Sequence, residues 1–169
     1  VEIDEMVGKF AGSIFRRPLQ GFPTQEFNFL SDGLRFVRSK ENEYDLIIVD
    51  STDPFGVGEG SFYKGVLRQF YKALKDDGIL VNQHESTFYA SYSNSMKRAH
   101  SRIKSTFPIA LVYQAHIPTY PSGHWLFGFA SKKYDPRSDL KSEWWNSLGI
   151  KTKYYNTNFT QAVSQFPTM

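Results

Sequence analysis

The sequence predicts an α/β domain: a mostly parallel sheet between helices, three layers in all, with a terminal antiparallel strand. Three observations carry that expectation. The run Leu46-Ile47-Ile48-Val49 has no polar break, as in a strand buried on both faces of a parallel sheet. Apolar stripes at helical spacing follow it and alternate with further β-rich runs, the order of an α/β fold. Two of those runs, Ile109–His116 and Trp125–Ser131, are joined by a short loop bounded by proline and glycine. That loop is too short for a crossover helix, so its strands pair antiparallel.

Length and composition bound the rest. The chain has 169 residues, the size of one domain, and its 15 Phe, 10 Tyr and 3 Trp suit a packed core. The net charge of +3 is mild. Basic pairs at Arg16-Arg17, Lys97-Arg98 and Lys132-Lys133 are scattered and form no stripe, so no nucleic-acid partner is expected. With no cysteine, disulfides, thiol catalysis and cysteine-bound zinc are excluded. No apolar stretch approaches the ~20 residues of a membrane span, and no signal-peptide pattern opens the chain. A cytoplasmic protein with no membrane contact is the expectation. Val1-Glu2-Ile3-Asp4 reads as the end of a strand, which predicts a fragment or a cut chain.

The elements follow in order. Met6, Phe10 and Ile14 fall at helical spacing, weakened by Gly8 and Gly12, before a loop marked by Pro18, Gly21 and Pro23. Phe27 to Leu30 is a short strand ending in Ser31-Asp32-Gly33, and Leu34 to Lys40 a short helix. The strand through Val49 ends in Asp50 and Asp53, with Pro54 to stop it. Ser61 reads as an N-cap for a helix whose stripe is Phe62, Val66, Leu67, Phe70, Ala73 and Leu74, with Gly78 as its C-terminal glycine. Ile79-Leu80-Val81 opens the next strand and runs into Asn82-Gln83-His84-Glu85-Ser86. Met96, Ala99, Ile103 and Phe107 then line one face of a helix. The polar tail from Tyr134 carries Trp144-Trp145 and Tyr154-Tyr155 as docking points. The final antiparallel strand is the mark of a Rossmann-like, methyltransferase-type sheet rather than a nicotinamide-binding one.

Acidic or polar clusters fall at four predicted strand ends: Glu2/Asp4, Asp32, Asp50/Asp53 and Gln83/Glu85. Any one alone reads as a solvated turn or a cap; together they line the edge where α/β sheets bind ligands. Glu2 fits a carboxylate that holds a ribose diol. Asp32 fits an acceptor for an exocyclic amine such as adenine N6, with Gly33 letting the ring approach the backbone. Asp50 and Asp53 suit a cationic amine, which a carboxylate can hold and deprotonate. His84, His100, His116 and His124 share no metal-ligand spacing, so no metal is expected, and only His84 merits attention as a base. No G-x-S-x-G elbow exists, and Gly56-Val57-Gly58-Glu59-Gly60 lacks the Lys-Ser/Thr ending of a phosphate loop.

Taken with Asp32-Gly33-Leu34-Arg35-Phe36-Val37, Tyr44 to Pro54, Gly78 to Ser86, Ile117-Pro118-Thr119-Tyr120-Pro121-Ser122-Gly123 and Lys153-Tyr154-Tyr155-Asn156, the chain resembles the spermidine synthases, or polyamine aminopropyltransferases. The resemblance is close to continuous from about residue 29 to 158. It implies that residues 1–169 form one synthase-like catalytic domain, incomplete at its N-terminus. It also implies transfer of an aminopropyl group from decarboxylated S-adenosylmethionine to putrescine, giving spermidine and 5′-methylthioadenosine. By motif, Glu2 would hold the ribose hydroxyls, Asp32 and Gly33 the adenine amine, and Asp50 would be the base. Asp53, Gln83 and Tyr120 would orient the diamine. No cofactor is implied, the sulfonium donor being a co-substrate, and the full-length form would be a homo-oligomer.

The sequence departs from the family in several places. The family's N-terminal β domain and its first Rossmann strand with a Gly-Gly-Asp-Gly-Gly turn have no counterpart. Residues 8 to 28 match poorly, and Val57-Gly58 replaces proline and alanine. The isolated chain is therefore expected to show little or no catalysis. A methyltransferase using S-adenosylmethionine shares the Glu2 and Asp32 roles but has no need of Asp50 and Asp53 beside an amine-binding Tyr120 loop. A non-catalytic partner of an active synthase is the other alternative.

Overall fold

The structure is a computed structural model that describes residues 32–50, 60–120 and 122–163. The expected elements before Asp32 and the glycine-rich stretch after Asp50 lie outside the described residues, as does the side chain of Ser61. The chain divides into two units, residues 1–40 and 41–169.

In the first unit, α1 spans Gly33–Val37, shorter than the expected helix over Leu34–Lys40. It starts where Asp32 Oδ1 accepts from the backbone N–H of Leu34 at 2.8 Å and of Arg35 at 3.3 Å. The carboxylate thereby satisfies two donors that a helix start leaves without partners.

The second unit contains β1 (Tyr44–Val49), α2 (Gly60–Ala73), β2 (Leu74–Gln83), α3 (Ala90–Lys104), β3 (Ile109–His116), β4 (His124–Ser131), α4 (Ser142–Ser147) and α5 (Thr157–Val163). The described strands form one sheet in the order β1-β2-β4-β3. β1 and β2 are parallel, joined through α2, and β4 is antiparallel to both β2 and β3. So β1, β2 and β3 point one way and β4 opposes them. The antiparallel strand is terminal in sequence but internal in the sheet.

Register assigns the faces. Ile47, Leu80, Ala130 and Ala110 share one row and hence one face. Leu67 from α2 and Ile103 and Phe107 from α3 and its C-terminal turn pack there with Leu74, Leu80 and Ala130. The stripe Met96, Ala99, Ile103, Phe107 is buried, as its spacing predicts. Both long helices cover this one face. Among the described residues no long helix covers the other.

Two expectations are corrected. β1 is not buried on both faces, because Leu46 is 49% and Ile48 67% exposed while Ile47 and Val49 face the core. An unbroken apolar run still alternates with period 2, and only one of its faces meets α2 and α3. Gly78 does not end a helix. α2 passes directly into β2 at Leu74, and Gly78 lies within that strand. The junction finds partners without a glycine: the Lys72 and Ala73 carbonyls accept from the backbone N–H groups of Asn42 and Glu43 at 2.8 and 2.9 Å, and the Leu74 carbonyl from Lys132 Nζ at 2.5 Å. Between Tyr44–Leu74 and Leu46–Ile79 the pairing register shifts, so β2 detours around residues 75–78.

In the tail, Trp145 stands edge-on to Tyr155 with ring centroids 5.0 Å apart. Tyr154 Oη accepts the backbone N–H of His116 at 3.1 Å, tying the tail to the end of β3. Trp144 does not dock; it is 60% exposed.

Candidate active site

The site is built on the edge where β1 and β2 end. Val49 pairs with Asn82, so one step further along both parallel strands places Asp50 beside Gln83. β4 enters the sheet from the same edge, which brings the β3–β4 turn there with Tyr120. Asp50 is exposed and Gln83 half-buried. The Tyr120 ring lies 4.6 Å from that of Trp125, edge to face, and remains 39% exposed. Trp125 Nε1 is buried with no hydrogen-bond partner among the described residues.

The turn is held by its own backbone. Ile117 N–H donates to the Gly123 carbonyl at 2.9 Å, and Tyr120 N–H to that of Ile117 at 3.0 Å. Gly123 N–H returns to the Tyr120 carbonyl at 3.0 Å. Gly123 takes φ +65°, open to glycine, and Ser122 takes φ +69°, where a side chain is disfavoured.

Beyond Gln83 the chain stays inside: His84, Glu85 and Ser86 are all buried. His84 N–H donates to the Leu126 carbonyl at 2.9 Å, extending the β2–β4 ladder by a residue. Alternation turns its ring away from the Gln83 face, with Nδ1 3.3 Å from Asn82 Nδ2 and the ring edge-on to His100 at 6.4 Å. Burial, and secondarily the nearby His100, pushes the His84 pKa down to about 4, so the ring is neutral at pH 7. His84 therefore belongs to the core, and the expectation that it could serve as a base is not met.

Of the predicted residues, Asp50, Gln83 and Tyr120 share this edge. Asp32 and Gly33 belong to the first unit, where Asp32 caps α1 and a Cβ added at Gly33 would meet nothing within 4 Å. Glu2 and Asp53 lie outside the described residues. Sequence reasoning overlooked Trp125, whose aromatic character at the head of a strand signals only core, and the meeting of Ser86 with Ser122. Chemically, a carboxylate, an amide and a phenol at one rim offer hydrogen-bond acceptors to an ammonium group. Among the described residues no three His, Asp or Glu side chains gather as metal ligands, and no helix is long and apolar enough to cross a membrane.

The model of the spermine/spermidine synthase domain matches residues 1–142 of the chain. The chain belongs to the spermine/spermidine synthase family. As a member of that family it is 70% identical over 139 residues to the polyamine aminopropyltransferase of Alkaliphilus oremlandii (strain OhILAs), covering 82% of this chain and 49% of that protein. To the polyamine aminopropyltransferase of Clostridium botulinum (strain Eklund 17B / Type B) it is 60% identical over 169 residues, 99% of this chain and 60% of that protein. The chain thus spans about half to three fifths of the length of these curated relatives.

Solved structures agree with the fold. The spermidine synthase of Thermotoga maritima superposes with a TM-score of 0.80 at 32% identity, over 98% of this chain and 55% of that one. A spermidine synthase in complex with the transition-state analogue AdoDATO gives 0.82 at 36% identity, over 98% of this chain and 57% of that one. The synthase-family fold is Rossmann-like, as the internal antiparallel strand implies.

Proposed function

We propose that this chain carries the catalytic residues of an aminopropyltransferase, moving an aminopropyl group from decarboxylated S-adenosylmethionine to putrescine to give spermidine and 5′-methylthioadenosine. The observation that carries the reading is the shared edge of Asp50, Gln83 and Tyr120 in a chain of this family. The aminopropyltransferases and spermidine synthases it is similar to support the same reaction class.

The chemistry needs little from the protein beyond alignment and one proton acceptor. The amine nitrogen attacks the propyl carbon bonded to the sulfonium; the N–C bond forms, the C–S bond breaks, and its electron pair stays on sulfur. 5′-Methylthioadenosine leaves neutral, the sulfonium's positive charge passing to the new secondary ammonium of spermidine; beforehand the attacking ammonium of the diamine sheds a proton to free its lone pair. Asp50, exposed at the end of β1, is the acceptor for that proton. Gln83, Tyr120 and Asp53 orient the diamine so that its neutral nitrogen lies in line with the C–S bond. Glu2 holds the ribose hydroxyls of the donor, and Asp32 with Gly33 the adenine amine. Capping α1 occupies Asp32 Oδ1, and a carboxylate retains further acceptor sites for that contact. The reaction calls for no cofactor, because the sulfonium supplies its own leaving group. A cytoplasmic homo-oligomer is the setting we assign to it.

The test uses the full-length gene product with decarboxylated S-adenosylmethionine and putrescine, reading spermidine and methylthioadenosine by mass spectrometry. Both products should appear in equal amounts, and Asp50→Asn should lower kcat by about 10²–10⁴-fold, the range for a lost general base. Methyl transfer from S-adenosylmethionine without use of a diamine would overturn the reading in favour of a methyltransferase.

A further inference from the structure

Two segments meet at the candidate site: the stretch that follows β2 and the turn between β3 and β4. One line of hydrogen bonds joins them. Phe88 N–H donates to Ser86 Oγ at 3.3 Å, Ser86 Oγ lies 3.1 Å from Ser122 Oγ, and Ser122 Oγ donates to the His124 carbonyl at 3.4 Å. The direction that satisfies all three has Ser86 donating to Ser122. Ser86 is 0% exposed whereas Ser122 is exposed, so the contact ties a surface turn to a buried anchor. The Phe88 ring stands edge-on to His124 at 5.5 Å and closes the same junction.

Ser122 is an odd choice for its position. Its φ of +69° disfavours any side chain, and glycine would sit there without strain. A serine held in that conformation gains something only through its hydroxyl, and the hydroxyl's partners are Ser86 and the His124 carbonyl. Ser86 lies three residues after Gln83, and Ser122 two residues after Tyr120. The backbone bonds within the turn make its movement Tyr120's movement.

Resting on the amine-site reading above, we propose that Ser86 and Ser122 are positioning residues that clasp the Tyr120 turn to the end of β2. Neither serine touches the substrate. The clasp sets the spacing between Gln83 and Tyr120, and with it the fit of the diamine rather than the chemistry of transfer.

The test compares Ser122→Gly, Ser86→Ala and the double variant of the full-length gene product. Ser122→Gly removes strain and hydroxyl together, so its Tm should hold or rise. Its KM for putrescine should nonetheless rise about fivefold, the scale of one lost hydrogen bond, with kcat and the donor KM unchanged. Ser86→Ala should give a similar rise, and the double variant should be no worse than either single change, since both remove one contact. Hydrogen exchange supplies a readout independent of activity: in Ser86→Ala, whose turn backbone is untouched, the Tyr120 and Gly123 amides should exchange faster. Wild-type exchange in that turn overturns the clasp, as does a KM that worsens only in step with falling Tm. If the wild-type protein transfers no aminopropyl group, the proposed function fails, and the exchange result still decides the clasp.

Discussion

Asn82, His84 and Gly128 are choices that depend on one another. Asn82 pairs with Gly128 across β2 and β4, and the polar side chains of Asn82 and His84 occupy the space a larger residue at 128 would need. A Cβ at Gly128 would lie 2.3 Å from Asn82 Oδ1 and 2.7 Å from His84 Nε2. Gly128→Ala should therefore destabilise the protein by about 1–3 kcal/mol, the usual cost of overpacking, as read from urea unfolding midpoints. His84 also leaves a signature in pH. Its folded pKa of about 4 lies below the ordinary histidine value of 6.5, so between those values the unfolded chain binds a proton that the folded chain refuses. Stability should be complete above that window and fall on acidification through it, by at most about 3.5 kcal/mol at about 1.4 kcal/mol per pKa unit. His100, which faces His84 and has Lys104 as a charged neighbour, is also pushed down, chiefly by burial, and adds in the same direction. Denaturant titrations at several pH values should show a shallower acid loss in His84→Gln; an unchanged slope would assign the loss elsewhere.

Elements were legible where their own periodicity decides their fate. Ile109–His116 and its partner strand, and the stripe on α3, need no knowledge of the rest of the chain, because a hairpin and an amphipathic helix are set by nearby residues. β1 was legible as a strand but not in its burial, which depends on what covers each face. Asp50 and Gln83 could be placed by the rule that ligands gather at strand ends, whereas Tyr120 needed a family resemblance. The Ser86–Ser122 contact spans 36 residues and leaves no local trace in the sequence. The open face of β1 has its own expected outcome. Among the described residues β1 pairs only with β2, and Leu46 and Ile48 stand exposed beside its other edge. Such an edge recruits other strands. The isolated 169-residue chain should self-associate with rising concentration, and Ile48→Lys should reduce that association in sedimentation velocity. A monomer at all concentrations would refute this.

For the molecule as a whole, charge and site run in opposite senses. The chain carries a net +3, yet a carboxylate stands at the rim proposed above as the amine site. The attraction is therefore local and should be screened by salt over about 8–10 Å rather than acting as long-range steering. The placement of β4 has a consequence in time. β2 gains its second neighbour only when residues 124–131 have been synthesised, long after β2 itself has emerged. The turn bearing Tyr120 is shaped by the pairing of that same late strand with β3. A growing chain thus passes through an interval in which β1 and β2 can already pair while one side of β2 is bare and the Tyr120 turn is not yet formed. Among the described strands β4 is the last to leave the ribosome, and its arrival both joins β2 to β3 and shapes the turn that bears Tyr120.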